Sequence, residues 1–405
     1  MTFAISQLPA LTLVDYFSRA NETDRFSQVP LGLEKLRFGF FGEIGGLLAA
    51  VKKVSRDQLK ESETEVAGEE IGDALWYLIA TAHMRTVSPD ELGRSSLRAL
   101  RKRFSEVDHV SDGATSFRQI DGIVAVHGQG LAQERIAHLS ELAQASGELL
   151  GRKDMDQRQL AEQSLSDIFG HLLALLAITS AAFSLKLEDV ARDNLEKIRS
   201  RWPGNDPAYC DLFDDGFPEH EQLPRLLPIE FIERGGPIHG HVVQRLHGVF
   251  IGDRLTDNSN EPDDYRFHDV FHLAYIAHLG WSPVIRALLK VKRKSIKSTD
   301  DNEDGARAMI IEEGIATWIF NHAKRRDFYE DISIGKLDYG LLKQVHSMVS
   351  GYEVDRCPLW QWEKAILDGF RIFREIRRPA NRGGTVIVDI RNHSIEFNPS
   401  TQAEA

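Results

Sequence analysis

Acidic side chains early in the chain are spaced so that three of them can meet. In Glu69-Glu-Ile-Gly-Asp-Ala-Leu-Trp-Tyr-Leu, Glu70 and Asp73 stand three apart. On a helix that puts both on one face, with Leu75, Leu78 and Ile79 turned toward a core. Upstream, Phe41-Gly-Glu-Ile-Gly-Gly-Leu-Leu carries Glu43 as the only acid on its face, with Gly46 three residues on. Two antiparallel helices setting Glu43 opposite Glu70 and Asp73 would gather three carboxylates. Such a site suits Mg²⁺, which takes oxygen ligands and keeps several of its waters.

A second cluster lies far downstream, in Arg266-Phe-His-Asp-Val-Phe-His-Leu-Ala-Tyr. His268 and His272 are four apart, a helical spacing that lets two imidazoles share one metal, and Asp269 stands beside them. Glu312 or Glu313, in the apolar run Ile310-Ile-Glu-Glu-Gly-Ile-Ala-Thr-Trp-Ile where an acid needs a reason, offers a further ligand. Of the two, Glu313 is assigned to this possible second divalent-metal site. Histidines satisfied at a domain interface would give the same pattern.

The elements that must position these groups follow from apolar spacing. Phe40, Ile44, Leu47, Leu48 and Val51 recur at three and four, an amphipathic helix from Leu36 to Lys53. A polar connection, 55 to 65, leads to a helix from about Thr64 to Arg85. A third opens at Ser88-Pro-Asp-Glu, with a capping serine, proline in the first turn and acids at the positive end. The next hundred residues repeat this text. Leu139-Ser-Glu-Leu stands for Phe41-Gly-Glu-Ile, Leu165-Ser-Asp-Ile for Ile71-Gly-Asp-Ala, and Asn194-Leu-Glu-Lys-Ile-Arg-Ser-Arg-Trp for Ser96-Leu-Arg-Ala-Leu-Arg-Lys-Arg-Phe. In that register Glu141 replaces Glu43, Asp167 replaces Asp73, Ser164 replaces Glu70 and Gln144 replaces Gly46.

After Trp202 the turn-rich Pro203-Gly-Asn-Asp-Pro marks a boundary. The expected organisation is 1–110 and 111–204 as two helical repeats, the second degenerate, 205–224 as a linker, and 225–405 as an α-rich domain with small β elements. In that domain 229–232, 241–246 and 249–251 read as strands, 263–280, 282–294, 304–327 and 359–377 as helices, and 385–390 with 394–397 as a closing hairpin. The fold class is mainly α.

Composition bounds the rest. The 405 residues are 42% hydrophobic and 27% charged, with a formal charge of −12, which argues against non-specific binding to nucleic acid or to an anionic membrane. The two cysteines, Cys210 and Cys357, lack metal spacing, and the longest uncharged apolar run, Leu172 to Leu185, is 14 residues. A cytoplasmic protein that forms no membrane span, and that can form a homo-oligomer, is the expectation.

At the residues quoted for the two acidic helices and their repeat, 35–204 resembles the MazG-like nucleoside triphosphate pyrophosphohydrolases, an all-α superfamily. Its motif has the form E-E-x-x-E followed by E-x-x-D on facing helices that bind Mg²⁺. The resemblance implies that Glu43, Glu70 and Asp73 are catalytic, metal-binding carboxylates, with Mn²⁺ a possible substitute ion. Two acids of the motif fall on Gly42 and Gly46 here. The family's nucleotide-contacting Asn and Lys correspond to Ser96 and Ala99 in the first repeat but to Asn194 and Lys197 in the second. A composite site is therefore implied, with carboxylates from one repeat and substrate contacts from the other. The implied reaction is hydrolysis of a nucleoside triphosphate to monophosphate and pyrophosphate, with Glu43 orienting the water. Two alternatives stand beside it: a metal-dependent phosphohydrolase centred on His268, Asp269 and His272, a cluster that also loosely resembles an HD-type phosphohydrolase and a MazG-type C-terminal extension, and a non-catalytic nucleotide sensor.

Overall fold

The computed structural model describes residues 9–26, 29–57, 63–107, 113–152, 162–204, 207–236 and 240–399. The chain is mainly α, with fourteen α-helices and one small sheet among the described residues. It divides into two compact units, Met1–Arg199 and Ser200–Ala405.

The first unit is all helical: α1 (Leu13–Asn21), α2 (Gly32–Asp57), α3 (Glu63–Met84), α4 (Pro89–Phe104), α5 (Phe117–Val126), α6 (Arg135–Gly151), α7 (Glu162–Ala182) and α8 (Leu187–Arg201), whose last two residues fall in the second unit. The expected serine cap is present: Ser88 Oγ accepts from the Glu91 amide, and the Glu91 carboxylate accepts from the Ser88 amide in return. The centre is α7, which packs against α3, α4, α5 and α6. Its segment Leu165–Ala182 is long and apolar enough by composition to cross a membrane, and most of it is buried inside the helical unit. Counting only uncharged runs missed this segment, because Asp167 and His171 interrupt it.

The two groups of four helices repeat each other's turns. Thr86 and Ser184 are both left-handed, with φ of 59° and 62°, and close α3 and α7 in the same way. The Val87 amide returns to Ala82 O at 3.0 Å, and the Leu185 amide to Ser180 O at 2.9 Å. Where α1 and α5 begin, the capping residues Thr12 and Ser116 pair as an antiparallel bridge. Of the connection read at 55–65, residues 58–62 lie outside the described residues, and the helices reach into the rest, α2 to Asp57 and α3 from Glu63.

The second unit carries a five-stranded antiparallel sheet in the order β3-β2-β1-β4-β5, formed by β1 (Leu226–Arg234), β2 (His241–Leu246), β3 (Val249–Leu255), β4 (Gly383–Asp389) and β5 (Ser394–Pro399). The hairpin β4–β5 is the one the alternating Thr385-Val-Ile-Val pattern indicates. Its helices are α9 (Asp269–Leu279), α10 (Pro283–Leu289), α11 (Lys297–Asn302), α12 (Ala306–Lys324), α13 (Tyr339–Met348) and α14 (Leu359–Ile376). Of these, α11 and α13 are too short and too polar to stand out by periodicity. The apolar core is built largely by α9 and α14, with Phe271, Phe370 and Phe373 in mutual ring contact.

One expectation changes here. The segment read as a linker is part of the second unit: Phe213, Asp214 and Leu223 are buried, and Asp214 pairs with Arg225 and Arg286. Turn residues mark direction changes, and such changes occur inside a packed domain as readily as between domains. Arg293 is fully buried and holds Asp304 at 2.7 Å and Glu353 at 2.6 Å. A charge so deep persists only because it is paired. Asp304→Ala is expected to cost about 3 kcal/mol of stability, read as a lower urea midpoint, whereas Lys297→Ala at the exposed helix end leaves the midpoint unchanged.

Candidate carboxylate centre and a histidine cluster

Residues from three helices meet at the first cluster. Glu43 comes from α2, and Glu69, Glu70 and Asp73 from α3. Close packing brings the two helices together at glycines. A Cβ added at Gly46 would collide with the Glu70 carboxylate, and one at Gly39 with the Tyr77 ring. Gly46 therefore has a use beyond the lost acid, because Glu70 occupies the space into which a side chain at 46 would project. Gly42, where the family motif has its other acid, faces open space.

The third contributor is α8, entering close to α3 at Gly72, whose Cβ would lie 3.1 Å from Asn194 Cβ. Asn194 Nδ2 donates to Asp73 Oδ1 at 3.0 Å, while Lys197 Nζ donates to Asp73 Oδ2 at 2.5 Å and to Glu69 Oε1 at 2.9 Å. Buried Tyr16 from α1 donates its hydroxyl to Asn194 Oδ1 at 2.8 Å, fixing which end of the amide faces Asp73. Tyr16 and Glu69 were not singled out in the sequence. Nothing in the weakly periodic opening points to Tyr16, while Glu69 stood in plain view beside Glu70.

The electrostatics follow from this crowding. Glu43 is pushed up from 4.5 to about 7, first by burial and then by the charges of Asp73 and Glu70. Glu70 is also raised, again chiefly by burial. The two are within hydrogen-bonding reach of each other, which two carboxyl groups achieve only when one carries a proton. A cation can take that proton's place, and an all-oxygen donor set fits a hard ion such as Mg²⁺. Asp73 is held differently, by Lys197 and Asn194.

The corresponding place in the other half is organised by arginine. With α3 and α7 matched by their closing turns, Asp73 corresponds to His171, Glu70 to Ile168 and Glu69 to Asp167. The match of Asp167 to Asp73 and of Ser164 to Glu70 is thus one helical turn out; the side chain of Ser164 lies outside those described. Rows of Leu and Ile agree in either register, because a shift of four residues keeps the same helix face. Glu141, the counterpart of Glu43, is bound by Arg103 at 2.6 and 2.9 Å, and Asp167 by Arg98 at 3.0 Å. Arg98 and Arg103 thus have carboxylate partners within the unit.

Beside the first centre, between α3 and α8, lies a cleft of about 410 Å³ lined by Thr64, Gly68, Leu185, Val190, Asn194 and Lys197 among others. That volume lies in the range of small-molecule sites. A larger hollow of about 830 Å³ around Asp257 and Asn258 in the second unit contains none of the candidate residues.

The second cluster forms where α9 begins. His268, Asp269 and His272 are buried, and one ligand atom from each lies within 4.8 Å of the others, the one group of this kind among the described residues. Glu43, Glu70 and Asp73 do not converge to that degree. His272 Nδ1 pairs with Glu312 Oε1 at 2.8 Å from α12, and Nε2 lies 3.5 Å from Glu313 Oε2. Burial works against charge on His272, but Glu312 and Glu313 outweigh it and hold the imidazole well above its usual range.

The first unit is therefore a helical module with a cluster of carboxylates, joined in one chain to an α+β domain with a His/Asp cluster able to hold a metal. Residues 208–401 match the family model of the MazG C-terminal domain, which supports a MazG-like protein. The match coincides with the second unit, so the carboxylate centre lies outside it. No curated protein and no solved structure matches the chain.

Two outcomes test this geometry. Because Glu43 has a raised pKa in the folded protein, its contribution to stability is fully present below about 4.5 and is lost as pH rises through about 7. The melting temperature of the metal-free protein is expected to fall over that window, the fall to shrink in Glu43→Gln, and Mg²⁺ to raise the melting temperature more at pH 8 than at pH 6. Gly46→Ala is expected to keep or slightly raise the melting temperature, since Ala favours a helix interior by up to about 1 kcal/mol. The same change is expected to weaken Mg²⁺ binding in calorimetry by displacing the Glu70 carboxylate.

Proposed function

We propose that the first unit hydrolyses a nucleoside triphosphate, or a related nucleotide, to the monophosphate and pyrophosphate in a Mg²⁺-dependent reaction. The observation that carries this reading is the meeting of Glu43, Glu70 and Asp73 with Asn194 and Lys197 beside a cleft of nucleotide size. Glu43, Glu70 and Asp73 would hold the ion. When bound, Mg²⁺ neutralises charge on the phosphate oxygens and on the pyrophosphate leaving group.

The remaining roles fall to the chain's own groups. Glu43 would orient the water that attacks the α-phosphorus as the bond to the bridging oxygen breaks. Lys197 is the cation nearest the carboxylates, and a triphosphate drawing it from Asp73 would gain a charge-assisted contact. Tyr16 keeps Asn194 oriented, and Asn194 can then offer hydrogen bonds to sugar or phosphate from a fixed position. In the opposite half Arg98 and Arg103 already neutralise the acids, which favours one working centre per chain.

Pyrophosphate release measured over a panel of nucleoside triphosphates with Mg²⁺ tests the proposal. Activity is expected to fall at least about a hundredfold in Glu70→Gln and in Asp73→Asn, as loss of the ion's ligands requires. Lys197→Ala is expected to weaken nucleotide binding about tenfold, the scale of a charge-assisted hydrogen bond. Unchanged nucleotide affinity in Lys197→Ala alongside inactive Glu70→Gln would remove α8 from the site. Nucleotide binding without turnover under every condition would leave a sensor instead of an enzyme.

A further inference from the structure

The His/Asp cluster of the second unit is built as a ligand set, and its hydrogen bonds say which atoms are offered. His268 caps α9, and its Nδ1 donates to the Tyr265 carbonyl at 2.9 Å, which turns Nε2 toward Asp269 Oδ1 at 3.0 Å. His272 is fully buried. Its Nδ1 is taken by Glu312, itself fully buried and steadied by the Val284 amide at 2.9 Å, while its Nε2 has no hydrogen-bond partner. Asp269 is steadied in the same way, Gln244 Nε2 donating to Oδ2 at 2.6 Å and leaving Oδ1 on the histidine side.

Each donor atom is thus fixed from behind by a group that is not itself a ligand. A metal-binding histidine has this arrangement, its far nitrogen held by a carboxylate or a carbonyl so that the near one presents its lone pair. His272 Nε2 makes no hydrogen bond and has only the loose approach of Glu313 Oε2 at 3.5 Å, a costly arrangement for a buried polar atom that a bound ion would relieve. Glu313 is the one member with appreciable solvent exposure, at 44% of its side chain, and its Oε2 is 3.5 Å from His272 Nε2. It can swing onto the ion or leave that position to water.

We propose that His268 Nε2, His272 Nε2 and Asp269 Oδ1, with Glu313 closing the set, bind a divalent first-row transition ion in the second unit. Two imidazoles with carboxylate oxygen favour Zn²⁺, Fe²⁺ or Mn²⁺ over Mg²⁺, which prefers oxygen alone. The site is chemically distinct from the carboxylate centre of the first unit and does not depend on it. Glu312 and Gln244 position its ligands without touching the ion.

The test uses the full chain, stripped with chelator, equilibrated with micromolar Zn²⁺ and desalted before elemental analysis. About one equivalent is expected to remain, unaffected by excess Mg²⁺ and by Glu70→Gln, and lost in His268→Gln and in Asp269→Asn. Glu312→Gln is expected to weaken Zn²⁺ binding about 10- to 100-fold without abolishing it. Because buried variants can fail to fold, the wild-type protein is also loaded with Co²⁺, whose visible absorption reports nitrogen and oxygen ligation directly. Zn²⁺ retained equally by His268→Gln, Zn²⁺ lost only in Glu70→Gln, or Co²⁺ with the spectrum of the free aqueous ion would each overturn the assignment.

Discussion

Carboxylates gathered out of water must be given positive charge, and the first unit is arranged around that requirement. Asp73 receives it from Lys197, and through Asn194 and Tyr16 the same contact ties α1, α3 and α8 together. Glu43 and Glu70 receive less of it, since burial outweighs the attraction of Lys197 and both carboxyl groups are left raised. An ion pair and a proton are two answers to one electrostatic problem, and they divide the centre into a part the fold satisfies and a part a cation can satisfy.

The opposite half meets the same requirement differently. Arg103 takes Glu141 and Arg98 takes Asp167, while Ile168 stands where Glu70 stands in the first half. The two groups of four helices thus neutralise their acids in different ways. Exchange of closing helices makes this possible, for α8 lies against α3 at Gly72 and α4 against α7 at Gly170, where a Cβ would strike Ser95.

In the second unit buried charge is again the organising cost. Arg293 with Glu353 and Arg286 with Asp214 join segments 60 and 72 residues apart, while Arg293 with Asp304 and Arg266 with Asp257 close enclosed pairs locally. The His/Asp cluster is paired in the same way, but loosely at His272 Nε2, which makes no hydrogen bond and has Glu313 Oε2 3.5 Å away.

Read alone, the chain disclosed its helices well, because apolar spacing, the Ser88 cap and the β4–β5 alternation are local signals that packing preserved. It disclosed Glu43, Glu70 and Asp73 as residues that could converge, and it placed His268, Asp269 and His272 on one stretch. It did not reveal that Gly46 makes room for Glu70, that Tyr16 orients Asn194, or that the segment around Asp214 is packed into a domain. Two registers of α7 one turn apart keep the same helix face, because helical periodicity is unchanged by a shift of four residues. The left-handed turns at Thr86 and Ser184 fix the match in the register that the flanking helices share. Local pattern determined which residues form helices and which faces are acidic. Contacts between segments far apart in sequence, which no local pattern encodes, decided which of those acids stand unpaired.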